Sequence, residues 1–154
     1  MNNQSLTHAR AAVADGAGNF SIEDITLEAP RGFEVIVEIH AAGVCHTDYD
    51  SVKWGRPILM GHEGAGVITQ VGDAVTKVKP GDRVMLNWAI PCGHCFQCSA
   101  GRPHLCEVSS PVTGTIVGHA RVESTRYQGE PIERSFHIGT MATHTLVNEA
   151  AVVK

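Results

Sequence analysis

The sequence predicts a mainly β chain, α+β at the margin, folded as a partly open barrel with one short helix and a lobe stapled by cysteines. Short apolar runs with strand-like alternation recur between glycine-bearing turns. Sixteen glycines against four phenylalanines suit many turns and strands filled by valine, isoleucine and alanine. Four of the five cysteines fall between Cys92 and Cys106. The length of 154 residues is one domain's worth, long enough to bury a core. A net charge of -4 gives no electrostatic reason to seek nucleic acid or an anionic membrane. No apolar run is long enough to span a bilayer, and Met1 to Ser5 begins no signal peptide. Reduced thiols at metal-type spacing fit a cytoplasmic protein.

Residues 1–7 are polar and are expected to form a flexible N-terminus ahead of one domain over 8–154. The runs His8 to Asp15 and Phe20 to Glu28 flank Gly16-Ala17-Gly18-Asn19 and read as a hairpin. Glu34 to Ala42 is the clearest strand. It sets Val35, Val37, Ile39 and Ala41 against Glu34, Glu38 and His40, with Ile36 breaking the alternation, and predicts a half-buried antiparallel strand. Gly43 stops it, and a short helix follows, with Thr47 or Asp48 as its cap. Trp54-Gly55-Arg56-Pro57 ends the helix. Val67 to Val71 is a further strand, and Lys79-Pro80-Gly81-Asp82 turns the chain into Arg83 to Trp88, where Val84, Leu86 and Trp88 share a face. From Glu107 to Glu133 a long loop with at most short strands is expected. Its charge pairs, from Arg121 to Arg134, read as a solvated face. Two more strands are expected between Ile132 and Val147, and another begins at Ala151, for six to eight in all.

In the lobe over 91–107, two residues separate Cys92 from Cys95 and Cys95 from Cys98, and Cys106 returns after Gly101 and Pro103. Four thiolates at this spacing can close a tetrahedron around one zinc ion, leaving no open position, so the site is expected to be structural. Cys92-Gly93-His94-Cys95 alone also fits a dithiol redox motif, and oxidation of the four thiols is the competing outcome. Pro91 and the two cysteines that follow at once favour zinc. His94 and His104 are expected to face solvent.

Cys45 is the fifth cysteine, and His62 follows seventeen residues later. A lone cysteine at the end of an apolar strand is commonly core. This one sits after a glycine and beside polar residues, which is poor packing and good presentation. Gly61 and Gly64 are expected to clear space for His62 and Glu63 to meet it. Sulfur and imidazole nitrogen suit zinc, and a site with fewer than four protein ligands keeps a place for substrate.

Gly43-Val44-Cys45-His46-Thr47-Asp48, Gly61-His62-Glu63-Gly64-Ala65-Gly66, Val78-Lys79-Pro80-Gly81-Asp82-Arg83-Val84 and the four-cysteine lobe come in one order and spacing. Together they resemble the zinc-dependent alcohol dehydrogenases of the medium-chain dehydrogenase/reductase superfamily. The resemblance implies a GroES-like catalytic domain. It makes Cys45 and His62 ligands of a catalytic zinc, with Glu63 a neighbour able to approach the metal. It makes Thr47 the hydroxyl that passes a proton to or from substrate, Asp48 the group that orients His62, and His46 a contact for the cofactor pyrophosphate. Cys92, Cys95, Cys98 and Cys106 would hold the structural zinc. The implied reaction is NAD-dependent oxidation of an alcohol to an aldehyde or ketone, through a zinc-held alkoxide and hydride transfer, in a homodimer or homotetramer. Zinc can lower the pKa of bound water from about 15.7 to about 7. A comparable drop for an alcohol, at about 1.36 kcal/mol per unit, eases proton loss by roughly 11 kcal/mol.

Two departures qualify the resemblance. Asp50 stands where many members carry a histidine, and Ser110 where the glutathione-dependent formaldehyde dehydrogenase branch tends to carry an arginine. No Gly-x-Gly-x-x-Gly opens a helix: Gly64 and Gly66 are followed by Thr69 in β-patterned sequence. An NAD-binding Rossmann domain and the third ligand of the catalytic zinc are therefore expected beyond Lys154, and the 154 residues alone are expected to be inactive. The alternative is a non-catalytic zinc-stabilised interaction module of the same fold.

Overall fold

The computed structural model describes residues 6–108 and 120–154, with eleven strands and two short α-helices. The expectation for Ser110 lies outside the described residues. β1 (Thr7–Ala14) and β2 (Phe20–Leu27) form the hairpin read from sequence. Thr7 pairs with Leu27, so the sheet begins inside the segment expected to be loose. β3 (Glu34–Ala42) leads into α1 (His46–Ser51), β4 (Ile58–Leu59), β5 (Gly64–Val71), β6 (Arg83–Leu86) and α2 (Phe96–Ser99). Then come β7 (Thr125–Tyr127), β8 (Glu130–Pro131), β9 (Glu133–Arg134), β10 (His144–Asn148) and β11 (Val152–Val153). The strands outnumber the six to eight expected because β4, β8 and β9 span two residues each, too few to leave an alternation. No helix among the described residues is long and apolar enough to cross a membrane.

Two curled sheets make the barrel. One runs β8-β7-β2-β1-β4-β9 and the other β10-β3-β5-β6-β11. Every pairing is antiparallel except β4 with β9. β3 is the seam between two cores. Val35 and Val37 pack with Ile68, Val84, Leu86 and Ile138, whereas Ile36 packs with Ile25, Leu27, Leu59 and Leu146. The residue that broke the alternation therefore faces a second core. The first half of β3 is buried on both faces, and only its second half is open to solvent.

The charged stretch forms a solvated face only in part: Glu123, Glu130 and Glu133 are exposed, whereas its other charges turn inward. Arg134 is 4 % exposed, and Glu34, assigned from sequence to a polar face, is 5 % exposed. Glu34 accepts hydrogen bonds from the Arg31 and Arg121 N–H groups and from the Arg121 guanidinium. Arg121 also pairs with Glu28 at 3.2 Å. These ion pairs tie the loop before β7 down onto the start of β3. Alternation cannot reveal them, because the partners lie nearly ninety residues apart.

The segment 139–143 ties the two sheets and carries the site. The Met141 N–H donates to the Met60 carbonyl, the Ala12 N–H to Met141, the Thr143 N–H to Arg10 and the Ile39 N–H to Thr143. Thr140 donates twice, from its N–H to the Gly61 carbonyl and from Oγ1 to the Glu63 carbonyl, both at 3.0 Å. A Cβ on Gly61 would lie 2.4 Å from the Met141 nitrogen, and one on Gly64 2.7 Å from Thr140. These glycines therefore admit the 140–141 strap, not His62 and Glu63 as expected from the sequence.

Candidate metal and active site

α1 begins where β3 ends, and Cys45 is its N-cap, in place of Thr47 or Asp48. Asp48, at the third helical position, reaches back: its Oδ2 accepts from the Cys45 N–H at 3.0 Å. This reciprocal closure satisfies a helix-end donor and pins the cysteine backbone. The other oxygen, Oδ1, lies 3.2 Å from His62 Nδ1. A carboxylate can only accept, so the hydrogen sits on Nδ1 and Nε2 is turned towards Cys45, whose Sγ is 3.1 Å away. One buried carboxylate, 2 % exposed, thus orients both a thiol and an imidazole from segments seventeen residues apart.

Cys45, Asp48 and His62 present ligand atoms that all lie within 4.8 Å of one another. A zinc ion with Zn–S ~2.3 Å and Zn–N ~2.0 Å would hold tetrahedral sulfur and nitrogen ~3.6 Å apart, so the pair fits after opening by about half an ångström. Thr47 is half-buried in the first turn of α1. Glu63 is exposed and stands outside the three-residue group. Its carboxylate covers Gly43, where a Cβ would lie 2.2 Å from Oε2. His46 is exposed and pairs with Asp50 at 3.3 Å.

Sequence reasoning missed an aromatic wall. The Phe136 ring lies 4.7 Å from that of His62, 5.3 Å from Trp88 and 6.0 Å from Trp54. Phe136 and His137 hold φ of 48° and 64°, a left-handed pair that bulky residues avoid. Nothing in the sequence marks that turn. Trp54 and Trp88 were legible only as the end of a helix and one face of a strand.

The second cluster is complete in the lobe. Cys92, Cys95, Cys98 and Cys106 bring their sulfurs within 4.8 Å of one another, with Cys92 and Cys98 4.0 Å apart. Four sulfurs ~2.3 Å from one zinc ion stand ~3.8 Å apart, so the spacing fits. The Cys95 N–H points at Cys92 Sγ and the Cys92 N–H at Cys106 Sγ, each 3.3 Å away. Desolvation, with the neighbouring thiols, pushes the Cys98 thiol up to about 12, while backbone N–H groups of Cys98 and Glu107 draw Cys95 below the usual thiol range. His94 and His104 are exposed, as expected, and His94 Nδ1 meets the Cys92 carbonyl at 2.9 Å instead of the sulfurs.

Residues 31–154 match the sequence profile of the alcohol dehydrogenase GroES-like domain. The chain belongs to that family. This GroES-like domain is 36% identical over 152 residues to S-(hydroxymethyl)glutathione dehydrogenase of Photobacterium damsela subsp. piscicida, covering 95% of this chain and 41% of the relative. The corresponding protein of Escherichia coli O1:K1 / APEC is 34% identical over the same span. Among solved structures, an alcohol dehydrogenase zinc-binding domain protein from Burkholderia ambifaria superposes with a TM-score of 0.81 at 34% identity, over 97% of this chain and 42% of that one. Benzyl alcohol dehydrogenase from Acinetobacter calcoaceticus gives 0.77 at 31% identity, over 96% and 41%. This GroES-like domain thus spans about two fifths of the length of the relatives it matches.

Proposed function

We propose that residues 8–154 are the catalytic domain of a zinc-dependent alcohol dehydrogenase, taking an alcohol to an aldehyde or ketone with a nicotinamide cofactor held by a separate domain. The observation that carries this reading is the convergence of Cys45 and His62 with Asp48 behind them. A zinc ion there supplies Lewis acidity that lowers the pKa of a nearby alcohol. Cys45 and His62 are its ligands, and Asp48 keeps the His62 hydrogen on Nδ1. Thr47 passes a proton to or from the substrate oxygen, and His46, exposed and paired with Asp50, is the contact for the cofactor pyrophosphate. Trp54, Trp88 and Phe136 exclude water and favour an alcohol with an apolar or aromatic body. Cys92, Cys95, Cys98 and Cys106 hold a second, structural zinc.

Metal stoichiometry tests the reading. The chain is expected to bind two zinc ions, one tightly and one more weakly, and Cys45→Ala is expected to bind only the tight one. A single ion in both proteins would favour the non-catalytic module. Asp48→Asn keeps the shape but removes the carboxylate that orients His62, and is expected to weaken the second site by about 10- to 100-fold in a metal titration, leaving the tight site unchanged.

A further inference from the structure

A cavity of about 220 Å³ is lined by Trp54, Arg56, Glu133, Arg134, Phe136 and His137, among others, and its Phe136 ring also lies 4.7 Å from that of His62. Among the described residues Arg134 forms no ion pair, and Glu34 and Glu123 act on it only through their fields. One guanidinium nitrogen donates to the hydroxyls of Ser124 and Thr125, and the other to the carbonyls of Ala120 and Arg121. Its Nε has no hydrogen-bond partner among the described residues. Glu34, whose field reaches Arg134, is already engaged by Arg121. Burial draws the guanidinium down to about 10, which still leaves it charged at neutral pH. A buried cation held only by neutral groups is costly, and an orphaned buried donor asks for a partner.

The remaining groups do not supply one. Glu133 is occupied by Arg56 at 2.9 Å, and those two charges cancel. Burial, with the field of Arg134, lowers the His137 pKa, so it adds no negative charge and little positive. Among the described lining residues the charges therefore sum to one positive, that of Arg134, on which Glu34 and Glu123 act only through their fields. The cavity rim is rigid. A Cβ on Gly16 would lie 2.2 Å from the Arg56 nitrogen, and the Gly55 N–H donates to the Gly16 carbonyl, so the first hairpin turn clamps the segment bearing Trp54 and Arg56.

We infer that this cavity takes the carboxylate of the substrate, an alcohol carrying an acid group on a ring or short aliphatic spacer that crosses Phe136 to reach Cys45 and His62. The inference rests on the dehydrogenase reading for the alcohol end alone. Arg56 meets the carboxylate at the rim, and Arg134 supplies the uncompensated charge behind it. Only non-covalent binding is involved.

The test is a titration of the nitrogen-15-labelled chain with 4-(hydroxymethyl)benzoate, followed by NMR, with 4-methylbenzyl alcohol as the uncharged control. The acid is expected to shift the Arg134 Nε–H signal and the amides of residues 133–137, while the control leaves the Arg134 signal in place. Arg56→Gln is expected to weaken the acid by about tenfold. Glu133→Gln, which frees Arg56 from its competitor, is expected to tighten it by threefold or more, an effect that mere damage to the fold would not give. An Arg134 signal that ignores the acid, or responds equally to the control, overturns the inference, as does Glu133→Gln binding no tighter. In Cys45→Ala the Arg134 response should persist whatever becomes of the metal, so failure of the dehydrogenase reading and failure of the acid site are seen separately.

Discussion

Cys98→Ser is expected to carry one zinc ion fewer per chain and to lose the order of residues 91–107, while the barrel stays folded. None of those residues is fully buried, and none belongs to a core cluster. α2 is four residues long, far below the length at which a helix holds itself. Apart from short-range backbone hydrogen bonds and the Arg102 guanidinium over the Phe96 ring, what gathers the lobe is its sulfurs. Metal binding to small sites of this type is worth roughly 10–16 kcal/mol at neutral pH, and in a segment without a core that energy is the folding energy. Metal must also displace the Cys98 proton, whose pKa of about 12 makes the affinity fall as pH falls. Zinc content by elemental analysis and protease cleavage within 91–107 read the two effects. Unchanged zinc content in Cys98→Ser would remove the four-thiolate site, and a barrel that melted with the lobe would show that the lobe is not independent.

The second large effect is expected at Glu34. Four donors converge on its carboxylate, three of them from Arg121. Glu34→Ala strands these donors beside a side chain that is 5 % exposed. Breaking a buried pair costs about 3–5 kcal/mol, and because Arg121 is about one-third exposed, solvent screening places the expected loss near the lower end, about 3 kcal/mol. For a domain of this length that lowers Tm by roughly 6–12 °C. Burial raises the Glu34 pKa, but the hydrogen bonds from Arg121 and Arg31 outweigh it and the net value lies below the ordinary one. A depressed folded pKa stabilises the fold fully above the unfolded value, about 4.3, and this contribution disappears as pH falls through the folded pKa. Melting against pH should therefore drop below about pH 4.3 in the parent chain, with a shallower drop in Glu34→Gln. Parallel acid limbs would mean that Glu34 is not the titrating group.

The legible parts of this molecule are those whose chemistry is written in short stretches. Two-residue gaps between cysteines announce a shared point for their sulfurs, because a tight turn of that length leaves few other geometries. The hairpin across Gly16 to Asn19 and the strand at Glu34 to Ala42 follow from alternation and turn residues that act over a handful of positions. Cys45, Asp48 and His62 were nameable only because several motifs occur together in one order. Their distances were not, since His62 comes from a segment seventeen residues away from the α1 start that carries Cys45 and Asp48.

The chain by itself determined its barrel class, its cysteine lobe and the identity of its candidate ligands, because backbone propensity, turn chemistry and ligand spacing act locally. Tertiary structure alone decided that Ile36 faces a second core, that Gly61 and Gly64 admit the Thr140 strap, that Phe136 is bent into a left-handed turn against His62, and that Arg134 is buried with no ion pair among the described residues. Each of these depends on which distant segment comes to lie across a residue, and that is settled by packing and desolvation summed over the whole fold.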